Sequence, residues 1–172
     1  MSVLPILEEA GCEITDRKNN LRIKMKTRPK AVRDVRTMPY PGFPTDMQAQ
    51  MLAMTTVCHG TSVIIETIFE SRYKHVSELL RFGAKIRVDG RMAVIEGTPT
   101  LTGASVIASD LRGGASLVLA GLAAQGTTTV NDIKYILRGY ENLSGILKSL
   151  GCEIVKEERL LNNGTGKDGI EN

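Results

Sequence analysis

An internal repeat with a period of about 68 residues constrains the fold of this sequence more than any other feature. Three segments, 6–14, 79–86 and 146–154, share a short amphipathic helix that is closed by a glycine and followed by a strand. Glycine is expected at such helix ends because it adopts the left-handed backbone conformation at little cost. The period is too long for a solenoid repeat, so it predicts a chain built from copies of one supersecondary block.

The second and third copies correspond over most of their length. The corresponding positions are Thr45-Asp46 with Ser109-Asp110, Gly60 with Gly126, and Arg72 with Arg138. Each copy has the pattern of a capped helix, a glycine, a β-branched strand, a turn that carries the arginine, a second helix and a further strand. The second copy also contains Asp89-Gly90, a strong hairpin signal. This alternation predicts an α/β (α+β) fold in which helices pack on sheets.

Local signals predict the bounds of the individual elements. In the second copy we predict a helix over 47–59, a strand over 61–68, a helix over 75–82 and strands over 84–88 and 91–96. In the third copy we predict a helix ending at 124, a strand over 127–133, a helix over 141–150 and a strand over 152–156. Thr45 and Ser109 are the predicted N-caps, and Thr45-x-x-Gln48 has the form of a capping box.

Composition excludes several classes of protein. A length of 172 residues fits about one domain, and 42% hydrophobic with 24% charged residues is ordinary for a globular chain. No run approaches the roughly 18 apolar residues of a membrane span, and residues 1–20 lack the apolar stretch of a signal peptide, so we expect a cytoplasmic protein. Three cysteines without CxxC spacing and two distant histidines predict neither a disulfide framework nor a metal site.

A basic stretch over residues 17–36 carries nine lysines and arginines against one acid. Such a cluster is typical of a nucleic-acid footprint. However, residues 21–26 alternate apolar and basic side chains with period two, which predicts a half-buried strand with a solvated basic face. No aromatic residue lies in the stretch to stack on bases. We therefore expect no nucleic acid among the partners.

Five short motifs resemble one enzyme family. They are Arg28-Pro29-Lys30-Ala31, Phe43-Pro44-Thr45-Asp46-Met47-Gln48-Ala49-Gln50, Ile68-Phe69-Glu70-Ser71-Arg72, Asp110-Leu111-Arg112 and Arg138-Gly139-Tyr140-Glu141. Over residues 1–158 the sequence resembles the UDP-N-acetylglucosamine 1-carboxyvinyltransferases, the enolpyruvyl transferases that begin bacterial peptidoglycan synthesis. The octamer at 43–50 is highly specific to that family, and it argues against the related enolpyruvyl transferases that act on shikimate 3-phosphate.

The resemblance implies repeated βαβαββ units arranged as an inside-out α/β barrel, with the helices inside. The relatives have two such domains, and this chain resembles most of the C-terminal one. We therefore predict a partial domain over 1–158, made of the end of one repeat at 1–26, a repeat at 27–97 and a repeat at 98–158. The polar tail at 159–172 is predicted to be disordered, and the chain is expected to be a piece of a larger protein.

The implied reaction transfers an enolpyruvyl group from phosphoenolpyruvate to the 3′-hydroxyl of UDP-N-acetylglucosamine, with no cofactor and no metal. Such chemistry needs a base near the hydroxyl and cations for the phosphate and carboxylate groups. Asp46 corresponds to the family's aspartate that binds the hydroxyl, and it is the candidate catalytic base. Its predicted place in the first turn of a helix favours an anion, although ordinary first-turn acids fit the same pattern.

Arg72, Arg112 and Arg138 are the candidate substrate-binding residues for anions, because arginine forms bidentate contacts with carboxylate and phosphate. The resemblance assigns Arg112 and Arg138 to phosphoenolpyruvate and Arg72 to the lining of the site. Ile68 falls where the family contacts the UDP-sugar, mainly through backbone. Surface arginines and a plain core isoleucine are the alternatives that the pattern alone leaves open.

The family's catalytic acid is a cysteine or an aspartate on a loop of the other domain, and none of the cysteines here lies in that motif. Cys12, Cys58 and Cys152 are instead predicted to be small packing residues. We therefore expect no turnover by this chain alone. We expect its partner to be the missing N-terminal domain or another copy of the chain. The alternative is an inactive fragment or a binding module that needs a separate half. The resemblance further implies roles in cell wall biogenesis, cell shape, cell cycle and cell division, and no membrane partner.

Overall fold

The computed structural model describes residues 3–18 and 20–157. The chain divides into two compact units, Met1–Glu141 and Asn142–Asn172. Within the described residues, the first unit holds every strand and five of the six α-helices, and the second unit holds one helix. The tail predicted at 159–172 lies outside the described residues.

The first unit begins with a helix and a hairpin, which are followed by two α/β segments. Its helices are α1 (Leu4–Glu9), α2 (Gln48–Thr55), α3 (Val76–Arg81), α4 (Leu111–Ala123) and α5 (Lys134–Gly139), and a 3-10 helix (Thr45–Met47) leads into α2. Its strands are β1 (Glu13–Arg17), β2 (Asn20–Lys24), β3 (Val35–Arg36), β4 (Thr61–Ile65), β5 (Lys85–Asp89), β6 (Met92–Glu96), β7 (Leu101–Thr102), β8 (Ser105–Ile107), β9 (Ala124–Gln125) and β10 (Thr129–Asn131). The second unit contains α6 (Leu143–Ser149).

The second copy of the repeat forms a four-stranded sheet in the order β3-β4-β6-β5. β3 runs parallel to β4, whereas β6 pairs antiparallel with both β4 and β5. The predicted hairpin is confirmed, since Asp89 of β5 pairs with Met92 of β6 and Gly90 between them has a φ of 54°. The chain order β3-α2-β4-α3-β5-β6 is the βαβαββ order expected for this fold class.

The third copy repeats the parallel pairing of the second. β8 pairs with β10 as β3 pairs with β4. β7 pairs with β9 where the second copy has an isolated parallel bridge between Lys30 and His59. The helix between the parallel strands is α2 in one copy and α4 in the other, and these two helices pack against each other. The equivalent helices of successive copies therefore lie side by side.

The core of the first unit surrounds α2. The buried residues of this helix are Gln48, Ala49, Met51, Leu52, Ala53 and Thr55, six of its eight residues. A helix that is buried nearly all round, rather than along one stripe, lies inside its domain. Leu52, Ile64, Leu79 and Ile95 are fully buried in this core, and each contributes about 1.5–3 kcal/mol of hydrophobic free energy.

Small residues let α4 approach its neighbours closely. Its first turns bury Gly113, Gly114 and Ser116. A Cβ atom on Gly114 would lie 2.8 Å from Cγ1 of Ile136 and 2.9 Å from Cβ of Ala108. Because contacts that short do not occur between real Cβ atoms and their neighbours, glycine sets the distance between α4 and α5.

The repeated glycines confirm the predicted left-handed helix ends. Gly11, Gly83 and Gly151 have φ angles of 101°, 81° and 90°. The corresponding glycines after α2 and α4, Gly60 and Gly126, have φ angles of 103° and 88°. Most side chains would be strained in this region, so these positions determine where the helices stop.

Several predicted element bounds are wrong. The helix over 47–59 is only Gln48–Thr55, and the strand over 61–68 ends at Ile65 because the backbone then turns toward the buried carboxylate of Glu66. The strand over 127–133 is reduced to Thr129–Asn131. The strand over 152–156 is absent, since residues 152–157 are irregular and pair with no described strand.

The strand predicted in the basic stretch is present, but the prediction of a half-buried strand is wrong. Among the strands that the structure describes, β2 pairs only with β1, and all five of its residues are exposed. Leu21 and Ile23 are 46% and 47% exposed. A two-stranded sheet cannot bury a face by itself, so the apolar side chains that predicted a buried face lie on the surface.

Candidate functional site

Asp46 lies in the 3-10 helix that leads into α2, as its first-turn acidic residue, and its side chain is 59% exposed. Pro44 precedes the helix in an extended conformation, with φ −74° and ψ 136°. The predicted cap is wrong, because neither this helix nor α2 has a side-chain cap. The Thr45 hydroxyl instead donates to Oε2 of Glu66 at 2.8 Å, and a hydrogen bond to a carboxylate is stronger than one between neutral groups.

Arg112 occupies the first turn of α4. The N-cap of this helix is Asp110, not the predicted Ser109, because Oδ1 of Asp110 accepts the backbone N–H of Gly113 at 2.8 Å. This cap fixes the first turn and directs Arg112 toward Asp46. Nη2 of Arg112 lies 2.8 Å from Oδ1 of Asp46. The pair joins the starts of equivalent helices from the two copies.

Arg72 is the second arginine beside Asp46. Its Nη2 lies 3.9 Å from the same Oδ1 atom, and its guanidinium lies over the Phe69 ring at 4.5 Å from the ring centre. Ser71, which precedes it, has a positive φ of 56°, so the backbone is left-handed immediately before Arg72. The Arg72 side chain is 23% exposed. Packing on the Phe69 ring therefore holds it in place, in addition to its attraction to Asp46.

The two ion pairs are modest in energy. Half-exposed pairs of this kind contribute about 0.2–1 kcal/mol each because water screens them. Both arginines lie beside the Asp46 carboxylate, and for each of them the nearest oxygen is Oδ1. The arrangement is therefore better suited to placing charges than to stabilising the fold.

A cavity of about 230 Å³ lies beside this cluster, and its lining includes Thr45, Gln48, Arg72, His75, Asp110 and Arg112. Small-molecule sites usually have volumes of about 300–1,000 Å³. The cavity is large enough for one anionic group or part of a sugar, but not for a nucleotide sugar together with a second substrate.

His75 and Gln48 line this cavity and were not predicted from the sequence. His75 is 2% exposed, and burial lowers the pKa of its imidazole to about 4, although Asp110 and the carbonyl of Arg72 raise it. The ring is therefore neutral near pH 7. Nε2 of His75 and Nε2 of Gln48 are buried and have no hydrogen-bond partner among the described residues. Buried polar atoms without partners are rare, so both nitrogens are candidates to contact a bound molecule.

Ile68 lies in the loop after β4 and is 38% exposed, so the alternative that it is an ordinary core residue is wrong. Its backbone N–H donates to Oε1 of Glu66 at 2.9 Å, and that of Phe69 donates to the same atom at 3.1 Å. Glu66 is 1% exposed and also accepts the hydroxyls of Thr37 and Thr45. This buried carboxylate was missed in the sequence because an acid next to a β-branched run has the pattern of a solvent-facing strand residue.

Arg138 lies apart from the cluster. It is exposed in the last turn of α5 and forms no ion pair with any described residue. The next residue, Gly139, approaches Leu111, since a Cβ atom there would lie 2.5 Å from its Cδ1. Arg138 therefore adjoins the start of α4 without lining the cavity. Its local setting also differs from that of Arg72, because Arg138 is helical and Arg72 lies in a turn.

The three cysteines differ in burial. Cys58 is fully buried, and burial raises the pKa of its thiol to about 11, which agrees with the predicted packing role. Cys12 and Cys152 are half-buried, so they pack only in part and are not among the buried core residues. The described residues contain no group of three or more metal-ligating side chains and no helix long and apolar enough to cross a bilayer.

Known proteins resemble this chain over most of its length. The family model of EPSP synthase (3-phosphoshikimate 1-carboxyvinyltransferase) matches residues 1–160. UDP-N-acetylglucosamine 1-carboxyvinyltransferase 1 of Caldanaerobacter subterraneus is 56% identical over 156 residues, which are 91% of this chain and 37% of that protein. The enzyme of the same name from Desulfofundulus thermocisternus is 51% identical over 86% of this chain and 60% of its own length.

The fold has a counterpart among solved structures. The enolpyruvyl transferase NikO from Streptomyces tendae superposes with a TM-score of 0.80 at 26% identity, over 88% of this chain and 35% of that one. EPSP synthase from Acinetobacter baumannii, at 19% identity and a TM-score of 0.55, shares the fold. The chain thus spans about a third of the length of most of these relatives. The family resemblance seen in the motifs is confirmed, and the chain belongs to the EPSP synthase family of enolpyruvyl (carboxyvinyl) transferases.

Proposed function

We propose that this chain supplies part of the active site that transfers an enolpyruvyl group from phosphoenolpyruvate to the 3′-hydroxyl of UDP-N-acetylglucosamine. The observation that carries the proposal is the pairing of Asp46 with Arg72 and Arg112, two arginines that line one cavity. The names of the 51–56% identical relatives support the choice of the UDP-sugar as substrate. The reaction would place the protein in peptidoglycan synthesis, with the consequences for cell wall, cell shape and cell division that follow, and in the cytoplasm.

Asp46 is the proposed base for the sugar hydroxyl. Both arginines lie beside its carboxylate, and the side chain is still 59% exposed, so an oxygen of the carboxylate can face an incoming hydroxyl. A general base must come within about 2.6–3.2 Å of the proton-bearing atom, and the exposed carboxylate permits that approach. Ile68 contacts the UDP-sugar through its backbone carbonyl, because its N–H is already bound to Glu66.

The arginines are the proposed anion-binding groups. Arg112 has its Nη2 atom on Asp46 and retains further N–H groups for a phosphate or carboxylate oxygen. Arg138 adjoins the start of α4 without an ion-pair partner in the described residues, so an anion that contacts Arg112 could also attract its guanidinium. Charges fixed around a transferring group stabilise the charge that develops in the transition state.

The cavity is too small for both substrates, so we expect the other part of the site to come from the N-terminal domain or from a partner chain. The alternative is an inactive fragment or a binding module that requires such a separate half. In either case the chain alone should release no phosphate from phosphoenolpyruvate in the presence of UDP-N-acetylglucosamine.

Two samples test this expectation. One contains the chain alone, and the other contains the chain together with that part of the Caldanaerobacter relative which this chain does not match. Phosphate release should occur only in the mixture, and Asp46→Asn should lower it by about 100-fold or more, since a general base contributes about 10²–10⁴-fold. Asp16→Asn, at an exposed position on β1, is the matched control and should have no effect. Turnover by the chain alone, or full turnover by Asp46→Asn in the mixture, would contradict the proposal.

A further inference from the structure

We propose that Glu66 is a positioning residue of this site, which holds the segment of Asp46 and the segment of Ile68 and Phe69 in a fixed relation. The inference deepens the proposed function and rests on it, because it concerns how the proposed base and the proposed sugar contact are placed.

One carboxylate links the two segments through its two oxygen atoms. Oε2 accepts the hydroxyl of Thr45, the residue next to Asp46, at 2.8 Å. Oε1 accepts the backbone N–H groups of Ile68 and Phe69 at 2.9 and 3.1 Å, and the hydroxyl of Thr37 at 2.8 Å. The start of the Asp46 helix and the loop after β4 are therefore both hydrogen-bonded to the same side chain.

The choice of a carboxylate at this place is not explained by stability alone. Glu66 is 1% exposed, and its described hydrogen-bond partners are hydroxyls and amides rather than cations. Removing an ion from water is costly, and an apolar side chain at the end of a buried strand is often at least as stable. What the carboxylate adds is an acceptor for four donors from three segments, which defines the geometry of the loop.

The loop in turn supports Arg72. The Phe69 ring lies beneath the guanidinium at 4.5 Å. Arg91 holds the loop from outside, donating to the carbonyl of Thr67 and to Oε1 of Glu70 at 3.0 Å each. If Glu66 releases the amides of residues 68 and 69, the ring can move, and the contact of Arg72 with Asp46 is no longer fixed.

Two variants separate the effect of the charge of Glu66 from the effect of its side-chain length. Glu66→Asp keeps the charge but is one methylene shorter, so it cannot contact both segments. Glu66→Gln keeps the length but replaces one acceptor by a donor. Glu96→Gln is the matched control, since Glu96 is exposed on β6 and its side chain forms an ion pair with Lys85, away from Glu66.

The first measurement needs no ligand. By NMR on the whole chain, Glu66→Asp should speed amide hydrogen exchange at Ile68 and Phe69 by about tenfold or more, given the usual strength of hydrogen bonds to charged groups. The Arg72 side-chain protons should lose the ring-current shift caused by Phe69. Glu66→Gln should show a smaller change of the same kind. Amide signals of β1 and β2, which pair with each other away from Glu66 and Glu96, should stay in place in every variant, including the control.

The second measurement is the titration of each protein with UDP-N-acetylglucosamine. We expect affinity to fall by about tenfold in Glu66→Asp, less in Glu66→Gln, and not in the control. If the unsubstituted chain does not bind the nucleotide sugar, its proposed binding role fails, while the ligand-free comparison still decides the role of Glu66. Unchanged Arg72 signals in a folded Glu66→Asp variant would overturn the inference. Loss of the whole fold in both variants would also overturn it, because Glu66 would then be purely structural.

Discussion

The burial of His75 makes the stability of this chain depend on pH. The ring is 2% exposed, and burial lowers its pKa from the ordinary 6.5 to about 4. As the pH falls below about 6.5, the unfolded chain takes up a proton at this residue and the folded chain does not. Protonation therefore favours unfolding between about pH 6.5 and pH 4. The stability that His75 contributes is complete above this window and is lost progressively as the pH falls through it.

The size of the effect follows from the two pKa values. A tenfold difference in proton affinity corresponds to about 1.4 kcal/mol. The full loss in the free energy of unfolding is therefore about 3 kcal/mol, and about 2.5 kcal/mol of it has occurred at pH 4.5. Urea unfolding at about pH 7.5, 6 and 4.5 measures it as a fall in the free energy of unfolding. Carboxylates also titrate in this range, so the informative quantity is the difference between the wild-type chain and His75→Gln.

Between about pH 7.5 and 4.5 the free energy of unfolding should fall in both proteins. The fall should be about 2.5 kcal/mol smaller in His75→Gln than in the wild-type chain. His59→Gln is the matched control, because His59 is exposed, and it should follow the wild-type pH dependence. Parallel curves for wild type and His75→Gln would refute the reasoning. So would an NMR titration in which the His75 ring of the folded chain takes up its proton near pH 6.5.

Two further predictions concern packing. Gly114→Ala should lower the free energy of unfolding by about 1–3 kcal/mol in urea titrations, because the added methyl group would lie 2.8 Å from Ile136; an unchanged midpoint would contradict the close packing of α4 and α5. Cys58 should react with a thiol reagent far more slowly than the half-buried Cys12, because burial raises the pKa of Cys58 to about 11; equal rates by mass spectrometry would contradict this.

The sequence predicted those features that local backbone chemistry decides. The left-handed glycines at repeat positions such as Gly11 and Gly83, and the hairpin at Gly90, follow from conformations that few other residues adopt. The helix and strand patterns predicted the α-β-α-β-β part of the second copy, whereas the full βαβαββ order, with β3 in front, was implied by the family resemblance. Element lengths were less predictable, because a strand such as β4 ends where a long-range hydrogen bond draws the backbone away.

The site was predictable in part. The octamer motif identified Asp46, but the structure supplies the reason that Arg112 reaches it, which is the packing of α2 against α4. Glu66 and His75 have no local signal, since their roles depend on partners that are distant in the chain, such as Thr37 for Glu66 and Asp110 for His75. Side chains whose importance arises only from tertiary contacts are inaccessible to pattern reasoning on one sequence.

The side-by-side packing of α2 and α4 also bears on how such a site could arise. The Asp46–Arg112 pair crosses the joint between two copies of one block, and neither copy contains both members of the pair. An ancestral protein with a single block could have formed this cluster only by associating with a second molecule of itself. Within one chain the pair does not depend on protein concentration. The two helix starts keep corresponding acids, Asp46 and Asp110, and differ two residues later, where one copy has Gln48 and the other has Arg112.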